Sequence, residues 1–489
     1  MYVFSKLLRL VIISSLIFSM PEFSFAVNVK DFGAKADGKT DDTHSIIKAT
    51  LAATDGIVEF PRGNYKVTQT IFIDLSKNGM IGLSGKGGAA SIIMAGEGPA
   101  FCFIGSHMGT ALPSSVKPIT WEKERMPLID ALEIVGANPR ADGIEIRNCL
   151  MPVFRALLIR DVRNGLHFTS RNRNVLINAC HIYNVSGIGI YLDNVNIHQM
   201  IISNSHISYC KKGGIKVMNS EIRNFEITGN DIEYNCDPAG PVSADIWVDC
   251  SQGGSVREGT ISGNTVQAIP SPGGANIRFS GLPANSNKIG LWSITGNHIS
   301  NQEVNIELDH CRGVNVTGNT FIRGYDRHLI INSSRNITVS DNVFDHNDDY
   351  FTPGLVSLGG ISVNKSQGII LNDNIIDGAE YGNEEKGGAV VVTDSREVSI
   401  SGCHIQNPKI NGVQIDNSVN VQVVNCIISE ETSNPRMLAG IALNGSCAGA
   451  LIRNNNISAG KNGNIINNAT GAIIDANIFT GRSGVSEKN

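Results

Sequence analysis

From about residue 150 to residue 480 the chain repeats one short phrase: an aliphatic residue, two variable residues, a slot residue, one more variable residue and a second aliphatic. Ile227-Thr228-Gly229-Asn230-Asp231-Ile232 is one copy, and Ile261 to Val266 and Ile294 to Ile299 are two more. The slot is Asn again at Asn319, Asn342, Asn374, Asn455 and Asn477, and is filled by Cys180, Ser205, Cys403 and Cys426 in four further copies. Successive slots lie 22 to 34 residues apart. A period with a floor and occasional insertions is the mark of a solenoid whose turns bury their apolar side only against their neighbours. Within a copy the apolar spacing is two rather than 3.6, which excludes heptads and helical repeats. The fold class that follows is all-β, a right-handed parallel β-helix of about a dozen coils.

The N-terminal region reads differently. Lys6 and Arg9 precede the apolar run Leu10 to Phe18, and Ser24-Phe25-Ala26 fits a small-x-small processing site. This pattern predicts an exported chain, secreted or periplasmic, cleaved after Ala26. The run is too short to span a bilayer. Lys and Arg are scattered and the formal net charge is −5, so neither a nucleic-acid partner nor a membrane span is expected. Thr40 or Asp41 is positioned to cap a helix near residues 41–53, with Ile46, Ile47, Leu51 and Ala53 as its apolar face and the open end of the solenoid beneath it. Residues 27–104 form the cap and first coils, 105–127 an insertion without periodicity, 128–480 the coils and 481–489 a tail. Cys210 and Cys236, about one coil apart, can pair, but buried free thiols explain the ten cysteines equally well.

Asp31-Phe32-Gly33-Ala34, Asp37-Gly38 and Thr40-Asp41-Asp42, followed by Phe60-Pro61 and Gly63 with Tyr65, resemble the N-terminal signature of the pectate-lyase superfamily. That grouping takes in rhamnogalacturonases, β-helical lyases and mannuronan C5-epimerase modules. The resemblance implies a carbohydrate-active β-helix and leaves the reaction open.

A strand reading Gly-Ile-x-Val points its aliphatics inward and x to solvent. Aligned copies therefore give an outward column of His167, Tyr191, Lys216, Trp247, Arg278 and Glu307, after which the column turns bland at Ile330, Ser362, Val391, Gln414 and Ala442. Two residues on, a second column reads Thr169, Asp193, Met218, Asp249, Ser280 and Asp309. A plain solvated face gives no reason to confine aromatic and ionisable groups to half of the solenoid.

Such a column suits proton abstraction beside a carboxylate, the first step of β-elimination from a uronate-containing polysaccharide. Arg278, or Arg171 and Arg173, supplies a carboxylate-gripping guanidinium, Lys216 a base, Tyr191 the second proton-transfer group and Trp247 a sugar platform. Asp249, Glu307 and Asp309 would line an anionic polysaccharide beside them. The Lys216–Tyr191 pair resembles that of some β-helical alginate lyases, while Tyr191, His167, Asp193 and Lys216 resemble the set of mannuronan C5-epimerases, whose Asp-Pro-His stretch is missing here. A hydrolase would use Asp249 and Asp309, two coils and so roughly 10 Å apart. An adhesin would use the same face without chemistry. No cofactor is required, although Asp345-His346-Asn347-Asp348-Asp349 offers the oxygen ligands calcium takes.

Overall fold

The computed structural model describes residues 26–350, 354–383, 386–431, 435–481 and 485–487. The leader expected over residues 1–26 lies outside them except for Ala26. Each coil lays three short strands on three parallel faces, in the order column face, second face, third face. Every strand-to-strand pairing of the named strands is parallel. Among the described residues the second face alone holds seventeen strands, more than a dozen, because the coils before residue 150 stack in the same way without carrying the repeated phrase. His298–Asp309 and Thr320–Asn332 run unbroken around one corner and join the other two faces into a single sheet.

The slot residues form the expected interior ladder. The Oδ1 of Asn264 accepts from the backbone N–H of Asn230 at 2.9 Å, Asn297 does the same for Asn264 at 3.0 Å, and Asn319 for Asn297 at 3.0 Å. Each side-chain amide also donates to a carbonyl of the preceding coil, as Asn264 does to Ile227 at 3.0 Å. A turn that leaves the sheet orphans a backbone N–H at the corner, and the next coil's amide satisfies it. Cys180, Ser205, Cys403 and Cys426 are buried in the same slot, and all ten cysteines are free and buried, Cys210 and Cys236 included.

The glycine of the Gly-Ile-x-Val phrase has its own cause. A Cβ on Gly143 would sit 2.3 Å from the carbonyl oxygen of Gly165, and one on Gly165 would sit 2.4 Å from that of Gly189. Adjacent coils approach too closely there for a side chain. Further along, the equivalent slot widens and holds buried Asp245, Asn276 and Asn305. Asp245 accepts from the backbone and side-chain N–H of Asn235 at 3.1 and 3.2 Å and from Asn276 at 3.0 Å. Burial nevertheless raises its pKa from 3.8 to about 8. A folded pKa above the unfolded one favours the protonated group, so this contribution to stability is complete below about pH 4 and is lost as pH rises through about 8. Thermal melts from pH 4 to pH 9 are expected to show a decline that Asp245→Asn flattens; parallel curves would contradict it.

The cap helix α1 spans Thr43–Ala52 and buries Ile46, Ala49 and Thr50. Asp41 rather than a formal cap residue holds its start, its Oδ1 accepting from the Thr43 N–H at 3.0 Å. Leu51, expected on the apolar face, is 63% exposed. Five residues of helix turn it roughly 140° from Ile46, off the stripe defined by Ile46, Ala49, Thr50 and Ala53. At the other end, the expected tail contains one more strand, Val485–Glu487, paired with Ile465–Asn467. No helix among the described residues is long and apolar enough to cross a membrane.

Candidate active site

Six strands of the column face carry the candidate residues: β1 (Leu166–Thr169), β2 (Ile190–Asp193), β3 (Ile215–Met218), β4 (Ala244–Asp249), β5 (Ala275–Ser280) and β6 (His298–Asp309). Their register places His167 opposite Tyr191, Tyr191 opposite Lys216, Lys216 opposite Trp247, Trp247 opposite Arg278 and Arg278 opposite Glu307. The bland continuation at Ile330 and Ser362 is in register too. In the second column Asp193, Met218, Asp249, Ser280 and Asp309 follow one another.

The column divides into two contact groups. In the first, the rings of His167 and Tyr191 stack at 4.9 Å with 7° between planes, and His167 Nε2 lies 3.3 Å from Asp193 Oδ2. The Tyr191 hydroxyl lies 3.7 Å from the Met218 sulfur. Burial, and then the negative charge of Asp193, push the Tyr191 phenol up to about 12. In the second group Lys216 Nζ lies 4.0 Å from the centre of the Trp247 ring, and Arg278 Cζ lies 5.4 Å from it. Burial lowers the Lys216 pKa; Asp249 opposes that shift and Arg278 adds to it. Among the described residues no carboxylate comes within ion-pair distance of Lys216.

Four of the expected site residues have partners within the fold. Trp247 is not an open sugar platform: the coils on either side lay Lys216 and Arg278 over its ring, and its indole N–H donates to Ser280 Oγ at 3.1 Å. Arg278 is nine-tenths buried and partly committed, its Nε donating to Glu307 at 2.6 Å and one Nη to the Gly273 carbonyl at 2.6 Å. Glu307 is therefore a partner of Arg278. Arg173 stands around the corner on the second face and is spent on the carbonyls of Thr110, Ala111 and Leu112, which pins the 105–127 insertion. Arg171 shares that corner.

The carboxylates of the second column are also engaged. Asp249 accepts from the Ser251 N–H and hydroxyl at 3.0 and 2.7 Å, and Asp309 accepts from Asn332 at 2.6 Å and lies 2.8 Å from His310 Nδ1. One coil before His167 stands Glu145, gripped by Arg147 through two bonds of 2.7 and 2.8 Å. It escaped the sequence reading because its copy lacks the slot phrase. Tyr183, Tyr209 and Tyr234 also follow one another on the third face, neighbouring ring centres 5.4 Å apart, the first pair edge-on and the second stacked. The calcium expectation at Asp345–Asp349 involves Asp348, whose side chain lies outside those described. Among the described residues a cluster of three potential metal ligands occurs elsewhere, on the third face, with His206 Nε2 3.4 Å from Asp231 and 3.3 Å from Glu233.

Comparison with known proteins agrees with this architecture. A family model described as right handed beta helix region matches residues 125–266 and 388–486. One described as rhamnogalacturonase A/epimerase, pectate lyase-like, matches residues 26–101, and one described as periplasmic copper-binding protein (NosD) matches residues 257–434. The chain is a right-handed parallel β-helix protein whose residues 26–101 match a pectate lyase-like model. A 44-residue segment is 57% identical to alginate lyase 7 of Azotobacter vinelandii, covering 8% of this chain and 5% of that protein. Gene product 12 of bacteriophage phi29 in its pre-mature form is similar in structure at 14% identity, with a TM-score of 0.52 over 97% of this chain and 68% of that one. ORF18 of Geobacillus virus E2 is similar at 19% identity and a TM-score of 0.43, over 71% of this chain and 61% of that one.

Proposed function

We propose that the chain is an exported polysaccharide lyase that cleaves a uronate-containing glycan by β-elimination, with Lys216 as base and Tyr191 as acid. One observation carries this reading: two proton-transfer groups are register partners on adjacent strands, and their surroundings move them in opposite directions. Burial lowers the Lys216 pKa and so favours the neutral amine that accepts a proton. Burial and Asp193 hold Tyr191 protonated at neutral pH, ready to donate. Lys216 takes the C5 proton, the electron pair forms the C4–C5 double bond, the C4–oxygen bond breaks, and Tyr191 protonates the departing oxygen. The Nη1 of Arg278, the guanidinium nitrogen without a described protein partner, is the cation nearest to hand for the sugar carboxylate. The segment shared with a protein named alginate lyase supports a uronate substrate.

The contact of Asp193 with His167 and of His167 with Tyr191 favours C5 epimerisation as a second reading. It begins with the same abstraction and ends by returning a proton to the opposite face. The hydrolase reading loses ground because Asp249 and Asp309 are held by donors of their own.

Incubation of the mature protein with a panel of uronate-containing and neutral polysaccharides separates these reactions. A rise in ultraviolet absorbance from the unsaturated sugar is expected. New reducing ends without that absorbance would make the chain a hydrolase, an altered uronate composition without cleavage an epimerase, and binding without product an adhesin.

A further inference from the structure

Around the corner from the second column, the coils carry a second outward ladder that the repeated phrase does not announce. Arg173, His198, Arg223, Arg257, Gly290, Arg312, Arg335, Gln367 and Arg396 are successive register partners. Its upstream arginines are largely used within the fold: Arg173 on the insertion, and Arg223 on the carbonyls of Ile222 and Ser255 at 2.8 Å each. Downstream the situation reverses. Arg335 and Arg396 are exposed, and among the described residues neither has a carboxylate within ion-pair distance. Both lean on a single neutral acceptor, Gln367 Oε1, Arg396 at 2.7 Å and Arg335 at 3.5 Å.

Gln367 is oriented for this. Its amide nitrogen donates to Glu397 Oε2 at 2.9 Å, and an ionised carboxylate only accepts, so the carbonyl end must face the two guanidiniums. Beneath the ladder, a buried row of serines fixes the coils: the backbone N–H groups of Ser334, Ser366 and Ser395 donate to the hydroxyls of Ser366, Ser395 and Ser418 at 3.0 to 3.1 Å. The loop Pro283–Asn287 rises beside it as a wall and is tied to the ladder by Arg312 donating to Asn287 at 2.9 Å. Between wall and ladder lies a groove of ≈ 620 Å³ lined by Arg335, Lys365 and Arg396, with Asp394 as its one carboxylate. None of the column residues lines it.

We infer that this groove is a second anion-binding site, for a linear glycan bearing carboxylate or sulfate groups. Guanidiniums held along the solenoid axis, at multiples of the ~4.8 Å strand spacing, suit a ligand whose charges recur along its length. Planar forks with free donors grip such groups in two-point fashion. A neutral glycan would leave the guanidiniums without charged acceptors. The inference does not rest on the reaction proposed above, since the groove and the column share no side chain.

The test uses the full mature chain carrying Lys216→Ala, so that turnover does not consume the probe. Affinity electrophoresis is run against polygalacturonate, dextran sulfate and neutral dextran, before and after Arg335→Gln and Arg396→Gln. Binding to at least one of the charged polymers, and none to dextran, is expected; the polymer retained identifies carboxylate or sulfate as the preferred group. Each substitution should weaken that binding roughly tenfold, as the loss of charged hydrogen bonds does. Arg155→Gln, an exposed arginine paired with Asp130, should leave it unchanged. Undiminished binding by the double variant, equal loss in Arg155→Gln, or no binding to either charged polymer would overturn the site. Circular dichroism establishes that the double variant is folded.

Discussion

Lys216→Ala and Tyr191→Phe are each expected to lower kcat by roughly a hundred- to ten-thousandfold, the range for removing a positioned acid or base. KM should change little, because neither substitution removes Arg278 or the surrounding face. Both side chains are half-buried on the outer surface of the sheet, while the inward neighbours Ile190, Leu192, Ile215 and Val217 are untouched. Far-ultraviolet circular dichroism and the unfolding midpoint should therefore match the parent chain. The pH profile gives a further check. A base must be neutral, so kcat/KM should rise with pH as Lys216 loses its proton, on a limb displaced below the ordinary lysine range by burial. The falling limb belongs to Tyr191, near about 12. Turnover within a factor of two of the parent in either variant would show that the chemistry lies elsewhere on the molecule.

The largest effect on stability is expected from the interior ladder. Asn264→Ala removes an Oδ1 that accepts from the N–H and side chain of Asn230 at 2.9 and 3.0 Å, and an amide that donates to Ile227 and Asn297 at 3.0 and 2.9 Å. All of these groups are buried. Leaving a buried donor or acceptor unpaired costs about 1–3 kcal/mol, and at least two are stranded, so a loss of about 2–6 kcal/mol is expected. Because each coil is stabilised by its neighbours, an end position should suffer less. Asn477, half-buried where the described ladder ends, accepts from Asn455 at 3.0 Å, and water reaches part of what its loss strands. Urea unfolding of Asn264→Ala and Asn477→Ala compares the two. Equal small shifts would mean that water or a relaxed corner replaces the ladder.

The repeat period and the apolar alternation determined the β-helix, the interior slot and both outward columns from sequence alone. Alternation fixes which side chains leave the core, and stacking fixes which residue stands beside which, so Tyr191 next to Lys216 was readable without coordinates. Tertiary structure decided what each side chain touches. Arg278 and Arg173 read as open cations, yet one is spent partly on Glu307 and the other on three carbonyls of an insertion more than sixty residues away. Trp247 read as a platform until the coils on either side covered its ring. The arginine ladder and its groove were hidden for a related reason. They sit at a corner, where residues such as Ser333 and Asn336 adopt positive φ and break the alternation by which a strand is recognised. Their wall comes from an insertion of no fixed period. Local periodicity carries information only where the backbone is regular; at corners and insertions, position is settled by packing between coils that are distant in sequence.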